Sequence, residues 1–194
     1  MSMSPAGRPG EVAAALDGEV AAARLCGVPV PSLRLDSTQG PVDLAELAAG
    51  RLVLYIYPRT GAPGEAPLPG WDTITGARGC TAQSCAFRDH HHELTDLGAE
   101  VAWLSAQPLA EQQSFAGRNG IPFRLISDPE LALGAVLSLP TFATAGCTFY
   151  RRLTLVAELG LISMVFYPVD APERNAAEVI AWLAPHTRRG GADD

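Results

Sequence analysis

Arg51-Leu52-Val53-Leu54-Tyr55-Ile56-Tyr57, closed by Pro58, is the most apolar stretch of the chain. A continuous apolar run of strand length, rich in branched and aromatic side chains and ended by proline, reads as a strand covered on both faces. Such a strand belongs in the middle of a sheet with helices on either side. It is also far too short to span a bilayer, so no membrane partner is expected.

Upstream, Glu11 to Cys26 is alanine-rich and stops at Gly27, which predicts a helical extension over residues 1–30. Leu33 and Leu35, a turn at Gln39-Gly40 and a short helix from Asp43 to Ala49 lead into the apolar strand. Downstream, residues 58–79 carry Pro58, Pro63, Pro67, Pro69 and five glycines, a composition that excludes a helix or a central strand. Loops this long in a compact domain carry function or stay disordered. Helical spacing resumes at Cys80 and is expected to run to Leu97, before Gly98. A strand over Val101–Leu104, a helix over Pro108–Arg118 and a strand over Phe123–Ile126 follow. Asp128 is the expected N-cap of a short helix, with Pro129 as its first residue. Thr148–Ala157 and Leu161–Tyr167 read as a hairpin turning at Glu158-Leu159-Gly160, and a last helix covers Pro172–Leu183. This order predicts an α/β protein with a thioredoxin-like fold, a central mixed β-sheet flanked by helices. The domain is expected over residues 31–186, with a frayed tail at 187–194.

Composition limits the partners. Of 194 residues, 47% are apolar, and 14 Lys+Arg against 21 Asp+Glu leave a net charge of −7. That balance suits a soluble domain and argues against a nucleic-acid binder. The polar start Met1–Gly10 lacks the apolar core of an export signal, so a cytoplasmic location is expected. No phosphate-binding glycine loop or serine-nucleophile motif occurs, and no cofactor is implied. Four cysteines are too few for a disulfide scaffold, so their reading is catalytic or incidental.

Cys80 stands where the proline- and glycine-rich loop gives way to a helix. Unpaired N–H groups and the positive end of the helix dipole favour a thiolate there, and Arg78 lies two residues away. That is the setting of a nucleophilic cysteine. On a regular helix Cys85 would lie about 7.5 Å further along the axis and about 140° around it. A disulfide between the two then requires the first turns to unwind. The pair is thus either a redox switch that melts a helix or one reactive and one structural thiol. Three consecutive histidines, His90 to His92, point about 100° apart and cannot converge on one ion, so they read as a solvated face. Cys26 and Cys147 read as small core or boundary residues, Cys147 being an alternative partner for Cys80. Trp103 and Trp182 read as core.

Leu54-Tyr55-Ile56-Tyr57-Pro58, Gly79-Cys80-Thr81 and Cys85-Ala86-Phe87-Arg88-Asp89 together resemble the peroxiredoxins of the alkyl hydroperoxide reductase/thiol-specific antioxidant family. The bacterioferritin-comigratory (Q-type) branch is the most similar, and the resemblance runs from Leu33 to Leu183. It implies Cys80 as the peroxidatic nucleophile, Cys85 as the resolving thiol and Arg152, in Arg151-Arg152-Leu153-Thr154, as the arginine that steadies the departing oxygen. It further implies a peroxide or other small electrophile as substrate, a thioredoxin-like reductant and a homodimer. Pro58, Thr60, Gly79 and Thr81 are the expected substrate contacts. Two departures stand out. Pro58 lies 22 residues before Cys80, an insertion of about fifteen relative to the family pattern, and Ala77 occupies the place of the family's threonine. Thr60 or Thr75 would have to fold back to return that hydroxyl, and the insertion, with Trp71 as an apolar anchor, would form a lid or a new substrate surface. These departures motivate two other readings: a thiol/disulfide or sulfur-handling enzyme of specialised metabolism, and a non-catalytic redox sensor.

Overall fold

The apolar run forms an interior strand of a seven-stranded sheet, next to the central one. The computed structural model describes Val20 and residues 23–186. Most of the expected N-terminal helix and the 187–194 tail lie outside the described residues. The strands are β1 (Arg34–Ser37), β2 (Val42–Asp43), β3 (Arg51–Ile56), β4 (Ala99–Ser105), β5 (Arg124–Ser127), β6 (Thr141–Thr144), β7 (Cys147–Tyr150), β8 (Leu153–Glu158) and β9 (Leu161–Phe166). The α-helices are α1 (Leu44–Leu47), α2 (Cys80–Asp89), α3 (His91–Asp96), α4 (Leu109–Asn119), α5 (Ala132–Leu137) and α6 (Asn175–His186), and a 3-10 turn at Pro172–Arg174 leads into the last.

The sheet order is β2-β1-β5-β4-β3-β8-β9, with β3, β4 and β5 parallel and the rest antiparallel. A mixed sheet flanked by helices is the thioredoxin-like layout expected. β3 alternates its side chains between two cores. Leu52, Leu54 and Ile56 pack with α1 and α5 residues on one face. Val53, Tyr55 and Tyr57 pack with Phe87, Leu94, Trp103, Phe115, Val179 and Leu183 on the other. Tyr55 stacks on Phe87 at 4.5 Å between centroids and meets Trp103 at the same distance. Burial raises the pKa of both tyrosines, which stay neutral.

Several boundaries differ from expectation, each for a local reason. The helix expected over Cys80–Leu97 breaks at His90 (φ −95°, ψ 8°), giving α2 and α3. The strand expected over Thr148–Ala157 divides at Arg151-Arg152. Its first half pairs with β6 in a separate two-stranded hairpin, which the sequence reading did not separate, and its second half joins β3. Asp128 does not open α5 as its N-cap. Leu131 takes that place in a left-handed conformation, and the Asp128 carboxylate reaches forward to accept from the N–H groups of Ala132 (2.8 Å) and Leu133 (3.0 Å). Cys26 and Cys147 are exposed, correcting the core reading. Cys26 sits in the turn that ends at Gly27, and Cys147 follows the left-handed pair Ala145-Gly146 at the hairpin tip. Trp182 is only partly buried and stacks on His186 at 4.2 Å. His90 and His92 pair with Glu93 and Asp96 on the surface, whereas His91 leans on Phe123.

Tyr150 ties the hairpin to this frame. Its hydroxyl donates to Asp128 Oδ2 (2.6 Å) and accepts from Gly134 N–H (2.9 Å). Its ring lies so near Gly134 that a Cβ there would sit 2.8 Å from Cε1. Tyr150→Phe is therefore expected to destabilise the protein by about 1–3 kcal/mol, because it leaves a buried N–H and a buried carboxylate without their shared partner. Urea unfolding followed by circular dichroism measures that loss.

Candidate active site

Cys80 and Arg152 meet at the end of the sheet where β3 stops and β8 begins. Tyr55 pairs with Thr154 and Ile56 with Leu153 across these antiparallel strands, so Arg152 falls just past the last pair. The parallel strands β3 and β4 also end here, the usual side for ligand sites in α/β sheets. Gly79 turns the loop into α2 with φ at 93°, and a Cβ on it would lie 2.8 Å from Pro172 Cγ. Only glycine satisfies both the left-handed backbone and the close approach of the 172–174 turn. Cys80 is then the first residue of α2, with no side chain capping the first turn.

Cys80 is 4% exposed and Arg152 is 3% exposed, and Arg152 Nη2 donates to Cys80 Sγ at 3.0 Å. The same Nη2 donates to the carbonyls of Arg78 (2.8 Å) and Gly76 (3.3 Å), and Nη1 donates to Gln83 Oε1. As a thiol, Cys80 reaches Ala77 O at 3.6 Å. Two further ties hold the start of α2 to the sheet. Ser84 Oγ donates to Cys80 O (2.7 Å) and lies 3.2 Å from the Tyr55 hydroxyl that donates to it. Gln83 Nε2 donates to Asn175 Oδ1 (2.9 Å), which also accepts from Thr154 Oγ1 (2.6 Å). Gln83, Asn175 and Thr154 are all buried and were not picked out by sequence reasoning. The one available signal was Gln83, a polar residue one helical turn from Cys80 on the same face.

The inserted segment closes over this sulfur. A cleft of about 360 Å³ is lined by Cys80, Ala77, Thr81, Leu68, Trp71 and Arg59 among others. Trp71 anchors the segment on the β6–β7 hairpin, with centroids 5.2 Å from Phe149 and 5.7 Å from Phe142. Thr144 Oγ1 adds a hydrogen bond to Pro69 O at 2.9 Å. Both guanidinium groups in the wall have carboxylate partners: Arg59 with Glu65 at 2.6 Å and Arg78 with Asp72 at 2.5 Å.

Of the residues expected at the site, Cys80, Gly79 and Thr81 line the cleft and Arg152 touches the sulfur. Pro58 is buried just after β3 and, contrary to the expected substrate contact, is not among the residues lining the cleft. Thr60 lines an adjoining cleft, where its N–H and hydroxyl donate to Gln107 Oε1 at 2.8 and 3.1 Å. Thr75 lines a small cavity of about 90 Å³ that also borders Arg152. Neither threonine is among the residues lining the Cys80 cleft, whose threonine hydroxyl is that of Thr81. Cys85 is half-buried on the same unbroken helix, so the cysteines are both reduced with α2 formed. Cys147, at the exposed hairpin tip, does not line the cleft.

Comparison with known proteins agrees with this fold. The Redoxin family model matches residues 26–180. The chain is 26% identical over 155 residues to the chloroplastic peroxiredoxin Q of Sedum lineare, covering 80% of this chain and 75% of that one. To the Coxiella burnetii protein named peroxiredoxin bcp it is 27% identical over 162 residues, covering 81% and 97%. Among solved structures, the bacterioferritin comigratory protein of Xanthomonas campestris superposes with a TM-score of 0.67 at 22% identity, covering 84% of this chain and 99% of that one. No helix among the described residues is long and apolar enough to cross a membrane.

Removing the anchor should free the inserted segment. Trp71→Ala is expected to increase limited proteolysis within residues 59–78 by about tenfold, following the loss of the aromatic contacts of a half-buried anchor. Mass spectrometry of the early fragments locates the cuts, and cleavage unchanged from wild type would show that the segment is held by other means.

Proposed function

The chain belongs to the Redoxin family, and on that premise we propose that it is a thiol-dependent peroxidase, reducing hydrogen peroxide or organic hydroperoxides at Cys80. The observation that carries this reading is the Arg152 guanidinium 3.0 Å from Cys80 Sγ beside an open cleft. A nucleophilic thiolate attacks one peroxide oxygen, forming an S–O bond as the O–O bond breaks. Cys80 becomes a sulfenic acid, and the other oxygen leaves with the electron pair and takes up a proton as water or an alcohol. Arg152 meets the charge that builds on the departing oxygen, where a fixed donor has most effect. First-turn N–H groups beyond Gly79 and the Thr81 hydroxyl hold the peroxide, while Thr60, clamped to Gln107, shapes the adjoining wall.

Cys85 then attacks the sulfenic sulfur, releasing water and leaving a Cys80–Cys85 disulfide. The α2 helix must unwind for the two sulfurs to meet. A dithiol protein of the thioredoxin kind restores both thiols by exchange and is itself oxidised. The Xanthomonas relative is described as reducing alkyl peroxides. Leu68 and Trp71 add apolar surface beside Cys80, and the paired Arg59 and Arg78 leave little free charge, which suits an uncharged organic peroxide. The insertion thus supports a substrate surface for this same chemistry in preference to a different reaction.

Stopped-flow measurement of peroxide consumption tests the proposal. Cys80→Ser is expected to abolish it, and Arg152→Met to lower the second-order rate constant about 10²–10³-fold, the usual effect of removing one donor from a developing anion. Cys85→Ser should keep the first oxidation and lose the disulfide-linked peptide in mass spectrometry. Equal consumption by wild type and Cys80→Ser would refute the reading.

A further inference from the structure

Behind the reacting sulfur, a line of buried polar side chains runs from Arg152 to the surface, and its polarity is forced from both ends. A guanidinium only donates, so the Gln83 atom facing Arg152 Nη1 must be Oε1. That turns Gln83 Nε2 towards Asn175, which must present Oδ1 to accept it at 2.9 Å. Asn175 Nδ2 then faces Glu178 Oε2, a carboxylate that only accepts, at 3.5 Å. Thr154 Oγ1, from the strand that follows Arg152, donates to the same Asn175 Oδ1 at 2.6 Å. No other arrangement of the two amides satisfies both the cation at one end and the carboxylate at the other.

We infer that Asn175 is a positioning residue for Arg152. Asn175 is not among the residues lining the cleft, and its side-chain hydrogen bonds go to Gln83, Thr154 and Glu178. It acts through Gln83: by fixing that amide with its oxygen outward, it occupies Nη1 and leaves Nη2 for Cys80 Sγ. With an apolar side chain at 175, the Gln83 amide loses the acceptor that orients it. Buried and unpaired, its NH₂ group would then face either an empty site or the guanidinium itself, and donor against donor pushes Arg152 away from the sulfur. Asn175 opens α6, packed against α2, so one residue joins three elements of the site: α2 through Gln83, β8 through Thr154, and its own helix through Glu178. This role rests on the peroxidase reading for its effect on turnover, but the Arg152–Cys80 geometry can be probed without any peroxide.

The experiment is a double-mutant cycle between positions 175 and 152, read by two reactions of Cys80 in the full chain: oxidation by hydrogen peroxide and alkylation by iodoacetamide. Asn175→Leu, with Asn175→Ser as a milder substitute should the leucine variant not fold, is expected to slow both reactions about tenfold. In an Arg152→Met background, or Arg152→Lys should methionine not fold, the same change is expected to have less than about a twofold effect, because there is no longer a guanidinium to place. The pair Asn175→Asp with Glu178→Gln keeps an acceptor towards Gln83 and restores a donor from position 178, and is expected to recover the rates to within about threefold. Equal slowing in both backgrounds, no slowing, or no recovery by the restoring pair would overturn the assignment. If wild-type Cys80 is inert to peroxide while the alkylation cycle shows the coupling, the peroxidase reading fails and the role of Asn175 stands. If peroxide reacts normally and neither reaction shows coupling, the role fails and the reading stands.

Discussion

A buried guanidinium facing a sulfur is the constraint around which this end of the molecule is organised. A charged group excluded from water is tolerated only when its donors are met. Arg152 meets most of this requirement: its two terminal nitrogens find two backbone carbonyls, one amide oxygen and Cys80 Sγ, while its buried Nε has no hydrogen-bond partner among the described residues. The two carbonyls come from Gly76 and Arg78, at the close of the inserted segment, so the charge that serves the sulfur also sets the path by which the chain approaches it. Chemistry and loop conformation therefore share one group.

The rest of the fold delivers that group and its target to the same point. β3 and β8 run antiparallel in register through Tyr55 and Thr154, and both residues reach towards α2, one through Ser84 and the other through Asn175. These ties hold the first turn of α2 in the wound state that lines the cleft. They must also break if Cys85 is to reach Cys80, so the same hydrogen bonds that shape the reactive site set the threshold for leaving it. The contacts of Tyr55 with Phe87, near the far end of α2, and with Trp103 on β4 pin the later turns of the helix to the sheet.

Much of this was legible in the residue order. The apolar run at Leu52–Tyr57 identified an interior strand because burial on both faces removes the alternation seen in half-exposed strands. Cys80 and Arg152 were named from their motifs, and they lie in contact. What escaped was decided by contacts between distant segments. Helical periodicity continues through His90, and only the backbone there shows the break between α2 and α3. The division at Arg151-Arg152 follows from pairing with Thr141–Thr144, a partnership no local pattern announces. Gln83 and Asn175 look like ordinary helix-surface residues until the fold buries them against each other, 92 positions apart in sequence. Thr60 shows the converse: proximity to the motif proline suggested a substrate contact, but Gln107 claims its N–H and its hydroxyl.

The seating of Trp71 against Phe142 and Phe149 makes the inserted segment and the β6–β7 hairpin a single module. Neither part is independently transferable. Grafted alone onto a shorter homologue, the segment would present an indole with no socket, and the hairpin would expose two phenyl rings with nothing to cover them. The two stretches, some seventy residues apart along the chain, therefore stand or fall together in the folded protein.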